Sequence, residues 1–245
     1  MDNADMFFRI VFVLILIVSV TLLACILPGI ASIGTTETGY HVISKGFRIG
    51  RVTTSQKAAV EGGAKVIHFE NRTDVEASFL WMNYCHDSCE KATIRDGKLL
   101  TYSRTEKVNG KDIKVEGRLV GDSFRFEVIE NGKRRSVVIP CSSYDRTTME
   151  CPEATMDLTS NGEATVRILD TEFMTVVTRK YRLVRNDKYK IDGREYACRV
   201  VDFSDPHKSC RRWIGKDRDA VILFRQDGKG KEGSYSVRAT TVDRQ

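Results

Sequence analysis

Asn109 to Gly132 reads NGKDIKVEGRLVGDSFRFEVIENG. Apolar Ile113 and Val115 alternate with charged Lys114 and Glu116. Further on, Phe124, Phe126 and Val128 alternate with Arg125 and Glu127. This period of two marks a strand with one buried and one wet face. Asn-Gly dipeptides close both ends of the stretch and Gly121-Asp122 divides it, and such dipeptides favour tight hairpin turns. The stretch therefore predicts two antiparallel strands inside a longer meander.

The same pattern extends outward. Asp192-Gly193 and Asp227-Gly228 mark further turns, and Lys188-Tyr189-Lys190-Ile191 alternates again. Strands are predicted over residues 40–44, 47–54, 64–70, 75–84, 98–107, 134–140, 164–169, 174–185, 194–203, 219–226 and 234–242. After residue 38 the best short helical candidate is 55–62 (SQKAAVEG), and it lacks convincing caps. Residues 140–163 are the least patterned and read as a long loop tied by Cys141 and Cys151. A turn every 8–12 residues or so predicts a mainly β domain, an antiparallel half-barrel, barrel-like sheet or sandwich.

The 245 residues are 41% hydrophobic and 29% charged, enough for an ordinary soluble core. A mean hydropathy of −0.29 excludes a multi-pass membrane protein. The net charge of +6 is mild and spread along the chain. Lys133-Arg134-Arg135 and Arg211-Arg212 are basic clusters without an aromatic stacking motif, so they read as solvated faces and nucleic acid is not an expected partner. There is no P-loop, dinucleotide fingerprint or H-E-x-x-H.

Ile10 to Leu27 (IVFVLILIVSVTLLACIL) is uncharged over 18 residues. As a helix it covers about 27 Å, close to the hydrocarbon thickness of a bilayer. Its length favours an uncleaved single-pass anchor. A cleaved signal ending near Ala31 is the second reading, with Arg9 before it and Pro28 and Gly29 after it. A lipobox at Leu22-Leu23-Ala24-Cys25 is the third. The organisation read from these features is an anchor or signal over 1–33, a linker over 34–39 and a β domain over 40–245. Lys45, Arg48 and Arg51 would hold the domain in the cytoplasm. Six cysteines in three local pairs, Cys85/Cys89, Cys141/Cys151 and Cys198/Cys210, argue instead for disulfides on the oxidising side of the membrane. The cysteines outweigh the three basic residues, placing the domain in the periplasm, held at the inner membrane or secreted if cleaved.

Gly46-Phe47-Arg48-Ile49-Gly50-Arg51 resembles the first hairpin of secreted bacterial β-sheet families of unknown function. Asp96-Gly97-Lys98-Leu99, Thr105 and Asn109-Gly110 resemble their next hairpins. Arg212-Trp213-Ile214-Gly215 with Asp227-Gly228 resembles their final hairpin and that of periplasmic lipoprotein carriers, with Gly215 standing where those families place Asp. The resemblance spans roughly residues 40–241. It implies an antiparallel half-barrel around an apolar concavity, and export across the inner membrane.

Candidate site residues follow. Trp81, Phe124, Phe126 and Trp213 are candidate linings for an apolar or lipid-like ligand. In Cys85-His86-Asp87-Ser88-Cys89, the thiolates and imidazole of Cys85, His86 and Cys89 suit copper or zinc, with His207 and Cys210 as further ligands if the loops meet. The blander reading, plain disulfides, is preferred, and no cofactor is expected. Ser123 in Gly121-Asp122-Ser123-Phe124 resembles one esterase nucleophile block, but its turn leads into a strand. The expected function is therefore non-enzymatic: a membrane-tethered envelope protein that binds an apolar ligand or a protein partner. The alternative is a metal-binding or thiol-redox role for the CHDSC run.

Overall fold

The computed structural model describes residues 31–79, 82–158, 162–218, 220–230 and 233–245. The apolar segment Ile10–Leu27 and Trp81 lie outside them, and among the described residues no helix is long and apolar enough to cross a membrane. The described residues are almost wholly in strands. The first eight are β1 (Ala31–Ser44), β2 (Phe47–Glu61), β3 (Ala64–Phe79), β4 (Met82–Arg95), β5 (Lys98–Val108), β6 (Lys111–Val120), β7 (Ser123–Glu130) and β8 (Lys133–Pro140). A two-residue strand, β9 (Arg146–Thr147), precedes β10 (Glu163–Asp170), β11 (Thr175–Ile191), β12 (Arg194–Ser204), β13 (Ser209–Asp217), β14 (Ala220–Gly230) and β15 (Gly233–Arg244).

All fifteen form one sheet. Two meanders, β8 back to β1 and β15 back to β9, join where β1 pairs with β15. Every pairing is antiparallel except β9 with β10. Turn chemistry accounts for much of this path. Asp96-Gly97, Asn109-Gly110, Asn131-Gly132 and Asp192-Gly193 all place both residues at positive φ, Asn109 at 49° and Gly110 at 80°, for instance. Such turns match the right-handed twist of the strands they join.

Side chains bring the two meanders face to face. Leu169 and Met174, from the β10–β11 hairpin, pack with Tyr102, Phe124, Phe126 and Val128 of the first meander. Gln56 of β2 reaches across to β14, where its Nε2 donates to the Val221 carbonyl at 2.6 Å and its Oε1 accepts from the Val221 N–H at 3.1 Å. On the second meander, charges alternate along one cross-strand row. Arg182 pairs with Asp202, Asp202 with Arg211, and Arg211 stands opposite Asp227. A slip by one residue would turn one strand's charges to the opposite face and break these pairs, so the row helps to fix register.

Several sequence expectations change. Residues 34–39, expected as a linker, belong to β1, and the helical candidate 55–62 is strand, continuing β2 to Glu61 with Gly62 in the turn that follows. Asp227-Gly228 lies inside β14. Gly228 is needed there because a Cβ would come within 2.7 Å of the Tyr235 ring and 2.9 Å of Cys210 Sγ. The CHDSC run, expected in a loop, sits in the middle of β4.

Candidate functional site

Between the meanders lies a cavity of about 710 Å³. One wall is apolar: Val52 of β2, Ile67 and Phe69 of β3, Ile94 of β4, Leu223 of β14 and Val237 of β15. The alternation of strands supplies this wall, since every second residue of β3 from Lys65 to Thr73 lines the space.

The other end is polar, and residues 141–158 supply much of it. Three single 3-10 turns carry this segment. The Thr147 N–H donates to Glu150 Oε1 at 3.1 Å, one half of a capping box. Arg167 grips Asp145, with Nη2 to Oδ1 at 2.6 Å. Leu158 is fully buried with Val177, Tyr181 and Phe203. Arg199 donates to the Met156 carbonyl at 2.8 Å, and Arg212 donates to Glu153, which is wholly buried. This segment was expected to be tied by Cys141 and Cys151, but charge and apolar burial tie it instead.

Arg179 is 1% exposed and lines the same end. It donates to Asp170 Oδ2 at 3.0 Å and to Asp205 Oδ2 at 2.8 Å. Both its guanidinium and that of Arg212 lie over the Phe203 ring, at 4.5 and 4.7 Å. Burial is the largest influence on Asp205 and raises its pKa. The His207 and Lys208 backbone N–H groups and Arg179 outweigh it and hold the carboxyl below its ordinary value. Cys151, also lining the cavity, is pushed up to about 12 by burial, and nearby Glu153 adds to this. It remains a neutral thiol, a poor nucleophile.

At the third side, Glu90 of β4 faces Asn71 of β3 across the strand pair, and both line the cavity. Tyr102 donates its hydroxyl to Glu90 Oε1 at 2.6 Å. Burial holds the Glu90 carboxyl above its ordinary value.

The residues expected to act are mostly elsewhere. Phe124 and Phe126 are fully buried in the core and do not reach the cavity. Trp213 lies on a separate groove, with Arg225 stacked 4.6 Å from its ring. Ser123 Oγ donates to Asp122 Oδ1 at 3.2 Å at an exposed turn. All six cysteines from Cys85 to Cys210 are free thiols. Cys85 and Cys89 are four residues apart on one strand, a separation of about 13 Å, beyond any disulfide. Cys210 stands opposite Phe203, five residues along β12 from Cys198 and about 16 Å from it. Cys141 instead lies 3.4 Å from the Tyr144 hydroxyl. His86 projects to the opposite face from Cys85 and Cys89, because successive side chains of a strand alternate, and its Nε2 lies 3.1 Å from Glu106 Oε1. The copper or zinc set of Cys85, His86 and Cys89 therefore does not converge, and no group of three ligating side chains occurs among the described residues. His207 stacks on Phe173 at 4.4 Å.

The fold resembles a crystal structure of a beta-barrel-like protein of domain of unknown function DUF1849 from Brucella abortus. The TM-score is 0.63 at 11% identity, over 88% of this chain and 99% of that one. No protein-family model matches the chain, and no curated protein matches its sequence. The chain thus has a mainly β, barrel-like fold, shared with a bacterial β-sheet protein of unknown function.

Proposed function

We propose that this protein is a non-enzymatic, membrane-tethered binding protein of the cell envelope, which takes an apolar, lipid-like ligand between its two meanders. The observation that carries the reading is the cavity of about 710 Å³ with its wall of Val52, Ile67, Phe69, Ile94, Leu223 and Val237. Ligand sites typically measure about 300–1,000 Å³ and are mostly apolar with a few convergent polar groups. The tether and the envelope location rest on the uncharged run from Ile10 to Leu27.

The test uses the full chain in phosphatidylcholine nanodiscs, with empty discs subtracted. N-phenyl-1-naphthylamine, a neutral apolar fluorophore, should brighten saturably at one site and be displaced by octanol. Ile67→Trp fills the apolar wall and should weaken the fluorophore at least tenfold. Binding that does not saturate above the empty-disc signal would sink the reading.

A further inference from the structure

The charges around the cavity are unevenly matched. Arg179 holds Asp170 and Asp205, and Lys208 holds Glu172 at 2.7 Å. Arg212 holds Glu153, and Arg146 lies 3.5 Å from Glu150. Glu90 stands apart. Its donors are neutral, the Tyr102 hydroxyl at 2.6 Å and the Asn71 amide, and among the described residues no basic nitrogen forms a salt bridge with it. The nearby cation, Arg104 of β5, is engaged with Glu106 at 3.3 Å and with the Glu172 carbonyl at 3.2 Å. Directly across the strand pair, Asn71 Oδ1 is buried and accepts no hydrogen bond.

The site therefore presents a carboxyl without a counter-ion and an amide oxygen without a donor on adjoining strands, where opposed side chains are about 5 Å apart. Ile67 and Phe69, on the same face of β3, lead away from them along the apolar wall. We propose that the cavity takes a single-chain amphiphile with a primary ammonium head, the N–H groups meeting Glu90 and Asn71 Oδ1 and the chain lying on Ile67 and Phe69. Burial, opposed by Tyr102 and Arg104, keeps the Glu90 carboxyl above its ordinary value, and Glu172 adds to the rise. A seated cation offsets that burial. Arg179, Lys208, Arg212 and Arg146 already hold carboxylates, so a phosphate or carboxylate head finds no free partner among these four. This assignment rests on the binding reading above and adds the head-group class to it.

Displacement of the same fluorophore from the full chain in phosphatidylcholine discs provides the test. Octylammonium should displace it at a concentration at least tenfold below octanoate and below octanol. In Glu90→Gln, octylammonium should lose its advantage and match the octanol midpoint measured in the same variant. Asn71→Ala should weaken octylammonium several-fold more than octyltrimethylammonium, which has no N–H. Octanoate matching octylammonium, or a preference that survives in Glu90→Gln, overturns the assignment. Displacement by octanol with no head-group preference sinks the ammonium assignment alone. If the fluorophore itself fails to bind, the cavity reading falls with it.

Discussion

Arg179 shows how single residues set the limits of this fold. Two carboxylates, Asp170 and Asp205, accept from it, and both their side chains are closed to solvent. Removing one partner of a buried ion pair leaves the other uncompensated, at a cost of about 3–5 kcal/mol. Arg179→Met keeps most of the volume and should destabilise the domain by that amount in urea unfolding. A loss below about 1 kcal/mol would mean that Lys208, 3.3 Å from Asp170, neutralises the site by itself. Two glycines act through space alone. A Cβ at Gly50 would come within 2.3 Å of the Asp74 carbonyl, and one at Gly215 within 2.5 Å of the Ala197 carbonyl. Gly215, where the resembled families carry Asp, is thus required here by the close approach of β12 to β13. None of these ionic or steric partners is visible in sequence, because Asp170 lies 9 residues from Arg179 and the other partners 18 or more from the residue they meet, brought close only by the pairing of strands.

Strands were legible where their buried face is apolar and obscure where it is polar. The β6–β7 hairpin was read from Ile113, Val115, Phe124, Phe126 and Val128, and Val115, Phe124 and Phe126 are completely buried. β4 was missed over most of its length. Its inward positions from 86 to 90 carry His86, Ser88 and Glu90, so the period of two has no apolar member there. The violation of pattern falls at the candidate site, where a domain tolerates polar residues that a plain core would not. Within the β6–β7 hairpin, Gly117 gives room to two rings. An added Cβ would lie 2.7 Å from Phe124 Cε1 and 3.1 Å from Phe126. Gly117→Ala should therefore cost about 1–3 kcal/mol by overpacking, read as a lower urea midpoint at unchanged slope. An unchanged midpoint would show that Phe124 can swing aside without loss.

The domain as a whole carries two opposed sets of carboxyls. Asp202 is held low by Arg211, and Asp205 by backbone N–H groups and Arg179 against the burial that raises it. The stability from this set is present above the unfolded value of about 3.9 and is lost as pH falls through the lower folded values. Glu90 and Glu150 are raised by burial. They bind protons more tightly in the folded state, so stability declines as pH rises from about 4.3 through their folded values. The two sets together predict a thermal midpoint that is higher at pH 5 than at pH 8 and drops below pH 3. Glu90→Gln should remove part of the difference between pH 5 and pH 8. Each pK unit is about 1.4 kcal/mol, or about 2–4 °C per kcal/mol in a domain of this size. A variant that keeps the full difference would exonerate Glu90. At this scale the division between sequence and structure is clear. Local chemistry, the alternation of residues and the Asn-Gly and Asp-Gly turns, determined that the chain is an antiparallel β meander, because strand period and turn type depend on neighbours in the chain. Only tertiary structure decided that β1 meets β15, that the meanders close over a cavity, and that Glu90, Asn71 and Arg179 line it while the cysteines stay apart. Those outcomes depend on the twist and register summed over fifteen strands, which bring together residues more than 100 positions apart.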